Sequence, residues 1–183
     1  MGDVVLRCTA KVLNLLGARA TDLVFVDPSD DDWYANLLWL DRRKCLLLAH
    51  AGTLFSVFVP GVYKADLKPI GASVIALIHA ELRAESLPVD RFGVLDPRSV
   101  RLAKTASRSV LGYMNEMGRF CEYAVADSGG LEQCDAHALN RELRKELHLS
   151  RRSPGYFVPI ELVGGSSTRG TAVAGWPSLR IVK

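Results

Sequence analysis

The sequence predicts an α+β domain: a mostly antiparallel sheet with three to four helices packed on it. Between residues 33 and 60, three apolar segments are separated only by short polar turns, which is typical of an antiparallel meander. Elsewhere, apolar residues recur at the 3.6-residue spacing of amphipathic helices. We therefore expect four to six strands, with the helices burying their apolar stripes against them.

The elements are expected in the following order. Residues 3–8 form a strand, and Thr9 then caps a helix that Gly17 ends. Residues 23–26 form a short strand, 27–32 an acidic loop, 33–40 and 44–50 a hairpin, and 54–59 a third consecutive strand. Helices are expected over 71–87 and 109–126, with a strand over 99–105 between them, and Asp135 caps a last helix.

The 183-residue chain, 49% hydrophobic, can bury a core without a metal or disulfide. We expect one domain over residues 1–150. A linker and C-terminal tail, mobile or late-docking, is expected over 151–183, where Gly, Ser and Thr become frequent. No apolar run reaches the roughly 18 residues of a membrane span, and the N-terminus lacks the order of a signal peptide. A cytoplasmic protein without a membrane partner is the expectation.

The net charge and the cysteine content exclude few classes of function. The net charge is only +3, although residues 91–183 hold 14 Lys and Arg against 9 Asp and Glu, and residues 1–90 hold 9 against 11. The four cysteines are widely spaced and form no CxxC pair, so buried thiols are expected. Zinc-type spacing, a P-loop and a nucleophile elbow are all absent, so we predict no metal or cofactor and can assign no catalytic residue.

Several short motifs along residues 4–150 resemble those of an uncharacterised family of small bacterial proteins. These motifs are Ala35-Asn36-Leu37-Leu38, Asp41-Arg42-Arg43-Lys44-Cys45-Leu46, Thr53-Leu54-Phe55-Ser56, Pro60-Gly61-Val62, Asp66-Leu67-Lys68, Ser107-Arg108-Ser109-Val110-Leu111-Gly112, Met114-Asn115, Gly129-Gly130-Leu131 and Leu139-Asn140-Arg141. The resemblance implies a bacterial, cytoplasmic context and brings no activity. One departure is His50, where the pattern has an amide-type residue.

The hairpin turn carries Arg42, Arg43 and Lys44 in succession. Arginine forks match phosphate or carboxylate oxygens, so a rigid turn of this kind can hold an anion. The alternative interpretation is that these charges only keep the sheet edge soluble.

The segment Ser107-Arg108-Ser109 stands where the long helix begins. Free N–H groups and the helix dipole favour an anion at this position, and Asn115 shares a helix face with Arg108. The simpler interpretation is an N-cap serine beside a solvated arginine.

Asn36 lies in the most apolar strand. A buried asparagine needs hydrogen-bond partners, and the backbone of a neighbouring loop is the usual one. A substrate-orienting amide is the alternative.

A basic face on the last helix and the start of the linker is a further candidate, a nucleic-acid footprint. It consists of Arg141, Arg144, Lys145, Arg151 and Arg152. Phosphate-backbone binding requires such a charged face and no motif. Interleaved Glu142 and Glu146 favour ordinary ion pairs along the helix instead.

The sequence is consistent with three functions. The first is a non-catalytic module that binds a phosphate-bearing partner such as nucleic acid through these basic residues. The second is a small enzyme or nucleotide-binding protein in which Asn36, Arg42, Ser107, Arg108 and Asn115 converge on one pocket. The third is a protein-interaction or regulatory module that uses a face bearing Trp33 and Trp39. The oligomeric state is not encoded in any pattern of the sequence.

Overall fold

The computed structural model describes residues 3–149 and 155–164. Within these residues the strands are β1 (Val4–Cys8), β2 (Trp33–Leu40), β3 (Arg43–His50), β4 (Ser56–Val59), β5 (Val100–Lys104), β6 (His148–Leu149) and β7 (Tyr156–Phe157). The helices are α1 (Ala10–Leu16), α2 (Ile70–Ala84), α3 (Arg108–Asp127), α4 (Ala136–Lys145) and α5 (Pro159–Leu162).

The main sheet has the strand order β4-β3-β2-β1-β5, which confirms the α+β class. The pairs β2–β3 and β3–β4 are antiparallel, as the meander predicts. β1, however, pairs in parallel with both β2 and β5. The sheet is therefore mixed, and the expectation of a mostly antiparallel sheet is corrected. These parallel pairings are possible because a crossover that contains a helix precedes both β2 and β5.

Helices cover both faces of the sheet. Alternate side chains of each strand point to opposite faces, so Ala35 and Leu48 meet α1 and α2 on the first face. Tyr34 and Leu47 meet α3 and α4 on the second face. Because both faces are buried, the central strands are apolar almost throughout, and the site must lie at a strand end or an edge.

Local signals place the helix ends where they were expected. The carboxylate of Asp135 accepts the N–H groups of His137 and Ala138 at 3.0 and 3.1 Å, and Gly17 adopts a left-handed conformation (φ 72°) after α1. Residues 23–26 depart from the prediction, because only Leu23 makes a β-bridge, to Leu102 of β5.

Residues beyond the domain boundary expected at residue 150 also pack in the core. Ile160 in α5 and the flanking Val158 and Val163 are all buried in the core of the first face. The increase in Gly, Ser and Thr that predicts a tail made this short apolar segment hard to recognise. The folded unit therefore includes residues 155–164, and the rest of the expected tail, 151–154 and 165–183, lies outside the described residues.

Candidate functional site

The β2–β3 hairpin turns over two residues, Asp41 and Arg42, because Leu40 pairs directly with Arg43. Asp41 and Arg42 both have positive φ, 45° and 59°, as a tight hairpin turn of this length requires. The carboxylate of Asp41 accepts the N–H of Leu131 at 3.1 Å and so ties the turn to the segment that follows α3.

The three basic side chains of this turn point in different directions. Arg42 is exposed at the tip. Arg43 forms an ion pair with Glu132, while Lys44, on the opposite face, lies over the indole of Trp39 at 5.8 Å. Since Arg43 already has a carboxylate partner and Lys44 lies on the opposite face, the turn does not present its three basic side chains together to one anion.

The N-terminus of α3 has the N-cap geometry of the simpler interpretation. Ser107 Oγ accepts the N–H of Val110 at 3.3 Å and lies 2.9 Å from Ser109 Oγ. The backbone N–H of Ser107 donates to the hydroxyl of Tyr34 at 3.1 Å. Arg108 is exposed beside this cap.

The pocket expected around Asn36, Arg42 and Arg108 is not formed. Arg108 begins α3, whereas the hairpin turn is bonded to residues that follow the other end of this helix. A 20-residue helix is about 30 Å long. The two arginines are therefore too far apart to hold one phosphate, and the structure does not bring the residues of the expected pocket together. Asn115 lies exposed on the helix between them.

Asn36 lies instead near the carboxyl ends of β1 and β5. Its Oδ1 accepts the hydroxyl of Thr9 at 3.1 Å and the N–H of Leu37 at 2.9 Å. Here α1 leaves towards the first face and α3 towards the second, which is the switch point where open α/β sheets commonly bind ligands. In this protein the polar groups Thr9, Asn36, Tyr34 and Ser107 bond within the protein and hold the strand ends together.

The expected nucleic-acid footprint is only partly on the surface. Arg144 is 0% exposed and donates to Glu81, to Glu85 and to the carbonyl of Ser56. Its place in the footprint is therefore wrong. Arg141 is exposed and Lys145 half-buried on α4. Arg151 and Arg152 lie outside the described residues.

A groove of about 590 Å³ lies beside α1 and the outer half of β2. We call it the lysine groove. Its lining residues are Lys11, Asn14, Leu15, Leu37, Leu38, Trp39, Lys44 and Lys64. Three of these carry a positive charge and none carries a negative charge. Apolar side chains form much of its surface, and Trp39 is 64% exposed at its rim. Cations on an apolar surface suit an anionic partner that also has apolar groups.

Each lysine reaches the groove from a different element. Lys11 is on the exposed side of α1, and Lys44 is the cross-strand partner of Trp39. Lys64 follows β4, and its Nζ lies so near Gly17 that a Cβ there would be 2.9 Å away. No sequence pattern points to Lys11 or Lys64, since nothing local joins two lysines in distant segments. The one available sequence signal for the groove was the alternation in β2, which places the side chains of Trp39 and Tyr34 on different faces of the strand.

Trp33, which shares the strand face of Trp39, is only 1% exposed. It packs against the rings of His50 and Phe92, with centroids 5.2 and 5.1 Å apart. A face that presents both tryptophans to a partner is therefore not formed, and Trp39 is left as its exposed member.

The groups with strongly shifted pKa values lie away from the lysine groove. Burial lowers the pKa of His50 to about 4 and raises the pKa of Cys8 and of Cys121 to about 12. None of these three residues lines the groove. Among residues 3–149 and 155–164, no cluster of three His, Cys, Asp or Glu side chains is arranged to hold a metal. In that same part of the chain, every helix is too short or too polar to cross a membrane.

Fold and groove together define a mixed α+β domain with a cationic surface groove. The model of the family described as Domain of unknown function (DUF6933) matches residues 5–162, and the chain belongs to this family. The match extends past residue 150, in agreement with the buried α5 segment. Comparison with curated proteins gives no match, and neither does comparison with solved structures.

Proposed function

We propose that this protein is a non-catalytic binding module that takes up an anionic partner in the lysine groove. One observation carries the proposal: Lys11, Lys44 and Lys64 converge from three elements on one groove that has no acidic lining residue. Like charges held together repel one another, and an anionic partner relieves this repulsion. The long-range attraction also steers such a partner to the groove.

The titratable groups support a binding role over a catalytic one. Catalytic sites commonly set groups with perturbed pKa values in a cleft. Here the strongly perturbed groups, His50, Cys8 and Cys121, are buried in the packed core instead. The groove offers lysines, one asparagine and apolar side chains, which suit attraction and packing. The four unpaired cysteines accord with a cytoplasmic location.

Single-stranded nucleic acid is the second candidate partner, and Trp39 favours it. An exposed indole beside a lysine is a platform on which a base can stack while the ammonium meets the phosphate backbone. Under this proposal the nucleic acid lies in the lysine groove, and the exposed Arg141 and Lys145 on α4 are a separate basic surface.

Paired charge reversals test which surface binds. The variant Lys11→Glu with Lys64→Glu alters the groove, and Arg141→Glu with Lys145→Glu applies the same charge change to α4. Fluorescent poly-L-glutamate and an oligothymidylate are titrated with each protein at low and moderate salt, with anisotropy as the readout. We expect the groove variant to bind at least about tenfold more weakly, with a flatter salt dependence. Equal binding by the groove variant and the native protein would overturn the proposal.

A further inference from the structure

Strand β2 extends beyond the strand beside it. β1 ends at Cys8, which pairs with Ala35, and the N–H of Thr9 donates to the carbonyl of Ala35 at 3.0 Å. β2 continues for five more residues to Leu40. On the β1 side, this outer half of β2 has no neighbouring strand within residues 3–149 and 155–164.

Strand alternation identifies the main-chain groups left on this open side. Because the carbonyl of Ala35 points towards β1, the main-chain groups of Leu37 and Trp39 point to the same side. The N–H of Leu37 is bonded to the side chain of Asn36. Among the described residues, none bonds the carbonyl of Leu37 or either main-chain group of Trp39, and these three groups form a short pairing edge.

The lysine groove runs along this edge. Leu37, Leu38 and Trp39 line it consecutively, although neighbouring side chains of a strand point to opposite faces. The side chain of Leu38 packs closely on Gly118 of α3, on the second face of the sheet. The groove thus reaches the main chain of β2 as well as its side chains.

The outer edges of the sheet, by contrast, have hydrogen-bond partners from neighbouring segments. Along β4, side chains of α4 bond the carbonyl of Ser56 and both main-chain groups of Phe58. Along β5, the N–H of Val24 donates to the carbonyl of Leu102 at 2.8 Å. Proteins generally protect free strand edges, because these edges pair with other chains. An edge left open beside a charged groove is suited to a selected partner.

We propose that the edge at residues 37–39 pairs with an extended acidic segment of a partner protein, which adds a short strand to the sheet. The proposal rests on the proposed function, since it specifies the anionic partner of the same groove. Main-chain hydrogen bonds supply attraction that is independent of side chains, and alternate side chains supply specificity. The acidic side chains of the added strand face Lys11, Lys44 and Lys64.

Charge selects this occupant over two others. A second copy paired edge to edge would bring two sets of groove lysines together, which costs free energy. The residues of this chain beyond the described part, 165–183, include Arg169, Arg180 and Lys183 and no acidic residue. An acidic segment from another protein complements the groove.

The first experiment asks whether main-chain donors of the ligand are needed. The probe is a fluorescent peptide of alternating Glu and Val, about eight residues long, together with analogues N-methylated at every Glu, at every Val, or at every residue. Either alternate analogue keeps one edge that can pair, whereas the fully methylated peptide keeps none. We expect the fully methylated peptide to bind at least about tenfold more weakly than the better alternate analogue. Equal binding by these two peptides would overturn strand addition.

The second experiment removes one donor from the protein. Trp39→Ala loses the indole and keeps the N–H, while Trp39→Pro also loses the N–H, which lies on the open side of an edge strand where proline is tolerated. We expect the proline variant to bind the unmethylated peptide several-fold more weakly than the alanine variant. Equal binding would overturn strand addition. If the proline variant lacks the native melting transition, the peptide series decides.

The outcomes separate the two proposals. If Lys11→Glu with Lys64→Glu weakens peptide binding and methylation has no effect, the anion-binding function stands and strand addition fails. If the lysine variant binds the peptide normally, the anion-binding function itself fails. Tighter binding of oligothymidylate than of the unmethylated peptide in the groove would replace the peptide with nucleic acid and overturn this inference.

Discussion

The side-chain amide of Asn140 hydrogen-bonds both main-chain groups of Phe58. Its Oδ1 accepts the N–H at 2.6 Å, and its Nδ2 donates to the carbonyl at 2.9 Å. One turn later on α4, Arg144 donates to the carbonyl of Ser56 at 2.9 Å. Ser56 and Phe58 are two residues apart in β4, so these groups all face the outer edge. The helix therefore takes the place of a neighbouring strand.

Replacement of Asn140 should destabilise the protein. Asn140→Ala leaves two buried main-chain groups unsatisfied and is expected to lower the free energy of unfolding by about 2–4 kcal/mol. Asn140→Asp keeps an acceptor but sets a carboxylate against the carbonyl of Phe58. Its deficit should shrink as pH falls, because a protonated carboxyl can donate. Urea unfolding at several pH values measures the free energy of unfolding of both variants. Arg141→Ala, at an exposed neighbour, is the control, and an equal effect there would contradict the assignment.

Arg144 should be needed for the stability of the fold, because it neutralises two carboxylates in a buried setting. Arg144→Met leaves Glu81 and Glu85 without their partner, so we expect a loss of about 3–5 kcal/mol. The double variant Arg144→Met with Glu81→Leu should lose less than the sum of the single variants, because it removes one unpaired charge. A double-mutant cycle by urea unfolding gives the coupling, and strict additivity would contradict the pairing.

His50 should make the protein sensitive to acid. Burial lowers its pKa to about 4 in the folded state, whereas the ordinary value is 6.5. Between these values the unfolded chain binds more protons than the folded chain, so stability falls as pH falls through this window. The loss is about 3 kcal/mol when complete. His50→Asn should flatten the stability profile between pH 6.5 and 4. A folded-state pKa near 6.5, measured by NMR, would contradict the prediction.

Thiol reactivity should separate Cys134 from the other cysteines. Burial raises the pKa of Cys8, Cys45 and Cys121 and keeps them as unreactive thiols, whereas Cys134 is only half-buried. A thiol reagent should therefore modify one cysteine per chain in the native protein and all four in urea. Cys134→Ser should abolish the native-state reaction. Rapid native modification of Cys8 would contradict the burial argument.

The α5 segment should be part of the folded unit. Ile160 is 1% exposed in the core of the first face, so Ile160→Ala should cost about 2–5 kcal/mol. Glu161→Ala, at the exposed next position, should change little. Thermal unfolding compares the two variants. A negligible effect of Ile160→Ala would instead support a domain boundary at residue 150.

The sequence predicted those parts of the fold that local chemistry determines. Alternation located β2 and β3, and the cap residues Ser107 and Asp135 begin α3 and α4 as expected. Strand direction was not predictable in the same way, since the apolar pattern of β1 is equally consistent with a parallel or an antiparallel neighbour. The mixed sheet follows from crossovers whose path depends on tertiary packing.

The candidate site was predictable only in part, for the same reason. The pattern of β2 sets Trp39 apart, and Lys44 was named in the basic turn, but Lys11 and Lys64 meet them only in the folded protein. Arg144 illustrates the opposite error. Its helix position resembles that of a solvated residue, yet its carboxylate partner Glu81 lies 63 positions away in the chain.

The contact between α4 and β4 also sets an order of events during synthesis. Phe58 and Asn140 are 82 positions apart in the chain. Translation proceeds at about 5–20 residues per second, so β4 is synthesised about 4–16 s before the part of α4 that bonds its edge. During this interval the free edge of β4 is available to other nascent chains or to chaperones. Slower translation of the intervening codons would lengthen this exposure, and the yield of folded protein would then depend on the rate of its own synthesis.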